Sequence, residues 1–512
     1  MSLLSSIYPL RWFLGLALLV VYLASKVRTY RRLRHFKGPF STGFSDLWHA
    51  RLIANHKNHQ GYKDVLDKYG PIARVGPNDL VTSSLDLLCH MSAARSPYTR
   101  GGWYYNATRT RAGKDSVFST VDEELHDKRK RQLAAGFSGK ENADLEATID
   151  THVAQLVHLI RSKYLSTAHS ARTFDLAQKI QYLTLDVISA VGFGKAFGDL
   201  QADADINSFA ASSETGLQYM AIIVALGLAP WLVRFPSLAR LVGPAETDAT
   251  GFGRILSEAR VIIEKRLERG EMDKRSDMLA SFSRHGLSAD ELLTEAALQI
   301  IAGSDTTATS LRSTMLYLIS HPPVYARLQA EVDAAAAKMD AAAVVSDSVV
   351  RGLPYLQAVI KEGMRVYSPV TDQVPKTVPR GGDTVVVDGK SVFLPGGVNV
   401  SYGVWALDRS EAIFGPDAHL FRPERWLVES DPGRLAIMNR VHELVFGYGK
   451  YQCLGKFIGL MEIGKTIFEL MHNFDWCLAQ PDNAWKSKNL MGIFVQKDMW
   501  VLASDRAGAK AE

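Results

Sequence analysis

Between Asp144 and Met339 apolar residues recur every three or four positions, the spacing that turns one face of an α-helix toward a core. The clearer runs are Glu146–Tyr164, Arg172–Ser189, Thr250–Arg269 and Ser288–Ser320. The last opens on Ser288-Ala-Asp-Glu291, a pattern in which the Ser and Glu side chains satisfy each other's backbone N–H groups at a helix start, and it stops before His321-Pro322-Pro323. At about 1.5 Å per residue that helix is about 50 Å long, enough to cross a whole domain. Strand patterns are short: Ile72–Val75, Asp79–Thr82, Thr384–Val387, Val392–Leu394, and a late pair around Met491–Val495 and Met499–Leu502. The pattern predicts a mainly α fold with small β-sheets.

One stretch follows neither period. Ile7 to Ala24 is apolar apart from Arg11, with Trp12–Ala24 as its continuous core. A bilayer span needs about 20 such residues, so a span over about residues 7–24 borrows from Leu3–Leu10 and lets Arg11 reach the interface. Lys26, Arg28, Arg31, Arg32, Arg34 and Lys37 follow, and basic charge on that flank holds the following domain on the cytoplasmic side. A cleavable signal peptide would carry its charge on the other flank. Residues 1–25 are therefore expected to be an uncleaved, single-pass signal anchor of the endoplasmic reticulum membrane. Residues 26–40 are expected to form a basic, proline-containing hinge ending near Lys37-Gly-Pro39, and residues 41–512 one cytosolic domain.

With 512 residues, 47% of them hydrophobic, the chain can bury a large core. Length alone would suggest about three domains. No Pro/Ser-rich linker, low-complexity tract or internal repeat divides it. The net charge of +5 is no larger than the basic cluster after the anchor, so nothing argues for nucleic acid. Cys89, Cys453 and Cys477 are the only cysteines, too few for a disulfide framework and suited to a reducing compartment.

The most informative segment chemically is Phe446-Gly-Tyr-Gly-Lys-Tyr-Gln-Cys453-Leu-Gly455. A thiolate pushes electron density into a haem iron and favours O–O cleavage, and glycines such as Gly447, Gly449 and Gly455 let backbone pass close to a flat macrocycle. By itself Cys453 could equally be one more small buried hydrophobe. Ala302-Gly303-Ser304-Asp305-Thr306-Thr307 lies inside the long helix, where the small Ala302 and Gly303 leave room for a diatomic ligand and Asp305 and Thr306 can supply protons; Thr hydroxyls in helices also simply bond back to the preceding turn. Glu362 and Arg365 share a helix face at i,i+3, common on solvated helices, and Phe421-Arg-Pro-Glu-Arg425-Trp lies downstream.

Taken in chain order, the Asp305 helix, the Glu362–Arg365 pair, the Arg425 segment and the Cys453 loop resemble the cytochrome P-450 superfamily, and they cover the C-terminal half of the chain. The resemblance implies a P-450 fold behind a single N-terminal transmembrane helix, with haem b between the Asp305 helix and the Cys453 loop. It makes Cys453 the axial ligand of the haem iron, with Phe446, Gly449 and Gly455 shaping its loop. It joins Glu362, Arg365 and Arg425 in a buried network, since a buried guanidinium needs every donor paired. The match is imperfect at the haem carboxylates. The family usually has Arg where Tyr451 stands and often Pro-Arg where this chain has Pro375-Lys376, while its basic helix corresponds to His126-Asp-Lys-Arg-Lys130. Lys keeps the charge without the bidentate fork and Tyr offers one neutral donor, so His126, Lys130, Lys376 and Tyr451 are the expected carboxylate contacts. His126 and Lys130 would otherwise be a solvated helix face.

The implied activity is that of a haem-thiolate monooxygenase, which places one atom of O2 in an organic substrate, with Asp305 and Thr306 organising proton delivery. The chain has no Gly-x-Gly-x-x-Gly, so electrons are expected from NADPH through a separate membrane-bound cytochrome P-450 reductase, with cytochrome b5 as a second donor and Lys450 and Lys456 on the docking side. Substrate contacts are expected at Tyr104–Ser119, Gln218–Leu226, Gln299–Thr306, Tyr367–Val374 and Asn489–Phe494, mixed apolar and aromatic segments that suit a mid-sized apolar molecule. Gly-Lys-Asp-Ser-Val-Phe118 and Phe-Ser-Gly-Lys-Glu-Asn142 resemble fungal members that tailor secondary metabolites. Two other readings stay open: an isomerase or dehydratase of the same fold acting on peroxides without external electrons, whose members tend to lose the Asp305-Thr306 pair, and a non-enzymatic haem carrier or gas sensor.

Overall fold

Ser288 starts the longest helix of the domain by the expected reciprocal cap: Glu291 accepts from the Ser288 N–H at 2.8 Å and Ser288 Oγ accepts from the Glu291 N–H at 3.4 Å. The computed structural model describes residues 3–506 apart from 207, 230–233, 236, 239, 241–242, 244, 250, 341–342 and 428–430. Its principal helices are α1 (Leu3–Arg32), α2 (Glu123–Phe137), α3 (Leu176–Phe193), α4 (Phe209–Ala225), α5 (Gly251–Glu268), α6 (Ala289–Ile319), α7 (Pro354–Val366) and α8 (Lys456–Asn473). Three of the four predicted helical runs match within a few residues. The Arg172–Ser189 run instead opens with a strand, Thr173–Asp175, and Asp175 then caps α3 by accepting from the Ala177 N–H at 3.0 Å.

The helix α6 runs through the core with Leu292, Ile300, Leu311 and Met315 fully enclosed, each contributing about 1.5–3 kcal/mol by burial. The helix α3 lies alongside it. A Cβ added at Gly303 would come within 2.7 Å of Ile188, and farther along Arg312 donates to the Ala177 carbonyl at 2.9 and 2.7 Å. Gly303 is therefore a helix-packing glycine, and the bulk it removes is filled by Ile188 as well as left open to the interior. The α8 helix and α7 pack on other sides of α6.

The largest sheet has five strands, β1 (Ile72–Arg74), β2 (Asp79–Thr82), β3 (Thr99–Arg100), β4 (Asp372–Thr377) and β5 (Asn399–Gly403), in the order β1-β2-β5-β4-β3. Only the β2–β5 pairing is parallel. An irregularity between Gln373 and Lys376 lets β4 turn, and the short edge strand β3 places Arg100 directly opposite Lys376. The late strands differ from the expected pairing: Ile493–Lys497 pairs with Lys486–Leu490, and Trp500–Asp505 pairs with Phe474–Leu478. The turn at Asp498, with φ 61, sends the chain into another sheet instead of closing a hairpin.

Among the described residues one helix, Trp12–Arg32, is long and apolar enough to cross a membrane by length and composition. The expected hinge at residues 26–40 is divided. Lys26 to Arg32 continue α1, whereas Leu33 and Phe36 are buried in the domain and the Arg74 N–H donates to the Lys37 carbonyl at 2.8 Å. A Cβ at Gly38 would sit 2.1 Å from the Arg74 carbonyl oxygen, so Gly38 is where this strap lies flat on the sheet.

Candidate functional site

The Cys453 loop is shaped by two left-handed glycines. Gly447 and Gly449 have φ 71 and 57, and a Cβ at Gly449 would lie 2.1 Å from the Ser92 carbonyl oxygen. That second glycine serves loop packing. The Cys453 N–H donates to the Phe446 carbonyl at 2.7 Å, closing the loop, and Gly455 then leads into α8. The Cys453 side chain opens onto an interior cavity of about 1080 Å³. Burial pushes its thiol pKa up, while the Gly455 N–H, the Lys130 charge and the Lys456 N–H pull the other way. These donors would hold a thiolate.

The same cavity is lined by Phe446 and Gly455 from the loop, by Ala302, Gly303 and Thr306 of α6, and by Ser212, Ser213 and Gly216 of α4. Tyr104, Val117 and Phe118, with Val370, Val374 and Ile493, complete a mixed apolar and aromatic wall. Each expected substrate segment therefore contributes, although the part of α4 that faces inward begins at Ser208, well before Gln218. Leu226, at the end of the expected segment, is 65% exposed.

Four cations and an imidazole meet along one edge. Lys376 is almost fully buried, with its Nζ 2.9 Å from the Tyr105 hydroxyl and 3.5 Å from the Tyr451 ring centroid. Burial first, then the Arg100 charge, drives its pKa well below that of an ordinary lysine. Arg100 stacks 4.9 Å from the Tyr451 ring, gives Nη1 to the Val117 and Thr120 carbonyls at 2.9 Å each, and leaves Nε buried without a partner. Lys130 donates to the Lys450 and Gln452 carbonyls at 2.7 and 2.9 Å, clamping the loop that carries Cys453. Lys450 pairs with Glu123 at 3.0 Å. His126 is buried 5.6 Å from the Tyr451 ring, and burial lowers its pKa to about 4, so it is neutral.

Tyr451 points its hydroxyl to the Glu123 carboxylate at 2.9 Å and the Tyr98 carbonyl at 3.2 Å, acceptors it shares with Lys450, while Lys376 and Arg100 lie against its ring. It serves the cluster as an aromatic floor. Arg100 was not anticipated from sequence: a single Arg before Gly-Gly carries no signal until β3 pairs with β4.

The proton-bearing pair on α6 divides. Thr306 lines the cavity and its Oγ1 donates to the Ala302 carbonyl at 2.7 Å. Asp305 is buried on the α3/α4 side, with Oδ1 accepting from Gln181 Nε2 at 3.2 Å and Oδ2 from Ser213 Oγ at 2.8 Å. Burial raises its pKa against those hydrogen bonds and the Arg312 charge.

The structure brings Glu362, Arg365 and Arg425 together as a sealed network. Arg365 donates Nε and Nη2 to the two Glu362 oxygens at 2.8 and 2.7 Å, Arg425 Nε donates to Glu362 Oε1 at 3.0 Å, and Trp426 Nε1 donates to Oε2 at 2.9 Å. Of the remaining guanidinium nitrogens, Arg365 Nη1 reaches the Asp408 and Ala418 carbonyls at 2.7 Å, Arg425 Nη1 the Phe414 carbonyl at 2.6 Å and Arg425 Nη2 the Asp417 carbonyl at 3.0 Å, tying α7 to the segment before the Cys453 loop. Every donor in this buried group has an acceptor, the condition for a charged cluster to persist inside a protein.

The residues present fit a flat, iron-bearing dicarboxylate. A lone thiol opens onto the cavity, and an anion arriving beside Arg100 and Lys376 would meet a buried guanidinium nitrogen without a partner and a buried ammonium whose bond goes to a neutral hydroxyl. Among the described residues no group of three or more His, Cys, Asp and Glu side chains could hold a bare metal ion.

Comparison with known proteins agrees with this arrangement. The family model described as cytochrome P450 matches residues 39–500. The chain is 38% identical over 505 residues, 97% of each chain, to the cytochrome P450 monooxygenase ABA1 of Pyricularia oryzae. It is 34% identical over 484 residues, 93% of each, to the cytochrome P450 monooxygenase aba1 of Botryotinia fuckeliana. A more distant match, 28% over 527 residues, is the cytochrome P450 monooxygenase mfmA of Annulohypoxylon moriforme.

Proposed function

The chain belongs to the cytochrome P450 family and is a cytochrome P450 monooxygenase, and from that premise we propose that it is a membrane-anchored haem-thiolate enzyme inserting one atom of O2 into a mid-sized, largely apolar organic substrate, as a tailoring step in fungal secondary metabolism. The observation that carries this reading is the Cys453 thiol opening onto a cavity of about 1080 Å³ whose wall also holds Thr306. Haem bound with a thiolate ligand supplies the electron-rich iron that activates oxygen. Cys453 would provide that ligand, held by the Gly455 and Lys456 N–H groups and by the Lys130 clamp on its loop. Arg100 and Lys376 would hold the haem carboxylates over the Tyr451 ring, and Glu362, Arg365 and Arg425 would fix the chain on the ligand side.

On the substrate side, Val117, Phe118, Val370, Val374 and Ile493 would exclude water and present an apolar molecule without charged competition. Thr306 Oγ1 would orient a proton donor, with Asp305 as the buried acid behind it. Electrons would come from NADPH through a separate reductase sharing the endoplasmic reticulum membrane, met on the cytosolic side near Lys450 and Lys456. The test is turnover of candidate metabolites with reductase under 18O2. One labelled oxygen in the product and one in water supports the reading, while product formed from an organic peroxide with no NADPH use would favour an isomerase or dehydratase.

A further inference from the structure

We infer that Ser213 on α4 is the hydroxyl through which Asp305 exchanges protons with the cavity, so that proton delivery crosses from α6 to the cavity roof before it reaches the reacting oxygen. The inference deepens the monooxygenase reading and rests on it. Asp305 does not line the cavity. Only two side chains hydrogen-bond its carboxylate among the described residues, Gln181 at 3.2 Å and Ser213 at 2.8 Å, and of these Ser213 alone lines the cavity. Thr306, one residue on, is turned to another face of α6 and spends its hydroxyl hydrogen on the Ala302 carbonyl.

The two partners differ in what they can do. Gln181 is locked, because its Oε1 accepts from Arg312 Nη2 at 2.7 Å, and an amide is a poor conductor of protons. A serine hydroxyl donates and accepts with a rotatable hydrogen. When Asp305 carries a proton, it can pass that proton to Ser213 Oγ while the Ser213 hydrogen leaves for a water or oxygen acceptor in the cavity. One proton moves and no electrons do. Asp305 is left ionised beside the buried Arg312 guanidinium, and the reverse transfer through Ser213 from cavity water restores its proton between turnovers. The burial that raises the Asp305 pKa favours the protonated starting state, and the Gln181 and Arg312 contacts stabilise the product state. Thr306 remains the cavity-side group that receives and orients what Ser213 delivers.

The full-length enzyme with haem, reductase and a turned-over substrate tests this through Ser213→Ala and Ser213→Thr. The account expects Ser213→Ala to keep the thiolate-type carbon monoxide spectrum and substrate affinity, to lose coupling of NADPH to product several-fold in favour of peroxide, and to show a larger solvent isotope effect. Ser213→Thr should restore both. Combining Ser213→Ala with Asp305→Asn should cost no more coupling than Asp305→Asn alone, since both interrupt one path. Unchanged coupling in Ser213→Ala, or a loss that Thr does not rescue, overturns the role of Ser213. If Ser213→Ala loses the spectrum, Ser213→Cys, a weaker relay of similar size, carries the same comparison. Failure of the native enzyme to give that spectrum would instead overturn the monooxygenase reading.

Discussion

Replacing Lys376 with Met separates two roles that the sequence alone would assign together. Methionine keeps the length of the side chain in a slot between the Tyr105 hydroxyl and the Tyr451 ring, so the change removes charge with little change in volume. With haem in place the lysine would make one charge-assisted bond to a carboxylate, and its loss costs about 1.5–3 kcal/mol. At about 1.4 kcal/mol per factor of ten that is roughly a 10- to 150-fold faster release of haem. Arg100 stays, so loss is accelerated and not complete. Tyr451→Phe removes a hydroxyl that serves Glu123 and Tyr98, acceptors that Lys450 also holds, and leaves the ring under Lys376 and Arg100 in place, so haem release should stay within a few-fold of native. Transfer of haem to an excess of an apo-globin, followed by absorbance, measures both rates. If Tyr451→Phe releases haem quickly while Lys376→Met holds it like the native protein, the carboxylates are anchored elsewhere and the edge cluster has been misread.

Glu362→Gln should be among the most damaging single changes, because the new amide NH2 would face the donors of Arg365, Arg425 or Trp426 and leave two buried guanidiniums short of charge; a loss of about 3–5 kcal/mol is expected, visible as a lowered thermal midpoint and poor haem incorporation. Thr306→Ala should leave haem and substrate binding intact while diverting NADPH to peroxide, and unchanged coupling in a peroxide assay would remove Thr306 from proton delivery. Removing residues 1–29 should release much of the protein from membranes, with a fraction retained by exposed apolar side chains such as Phe40 and Leu47; full retention in a flotation assay would show that α1 is not the anchor.

What was legible in the sequence was what local pattern and chain order carry. The α6 cap is a four-residue signal, and the Glu362–Arg365 pair and Arg425 became interpretable because their downstream segment follows in order. Along the cationic edge Lys376, Lys130, His126 and Tyr451 were named from the sequence but Arg100 was not, since it becomes the neighbour of Lys376 only through the pairing of β3 with β4. Lys130 was assigned by type, but its ammonium reaches two carbonyls of the Cys453 loop. The α4 side was read only in part: Tyr219, Met220 and Ile223 of the expected segment line the cavity, but Ile222 and Leu226 are exposed, and the lining begins earlier, at Ser212, Ser213 and Gly216, small and hydroxyl-bearing residues that carry no apolar signal. An apolar stripe marks burial only when something covers it.

The central claim is that Cys453 is the ligand to a haem iron, and the reduced protein under carbon monoxide tests it most directly. The native chain should show the strongly red-shifted Soret band of thiolate ligation, and Cys453→Ser should lose it, whether or not haem stays bound. The same band persisting in Cys453→Ser, or a native spectrum of the histidine-ligated kind, would contradict the account.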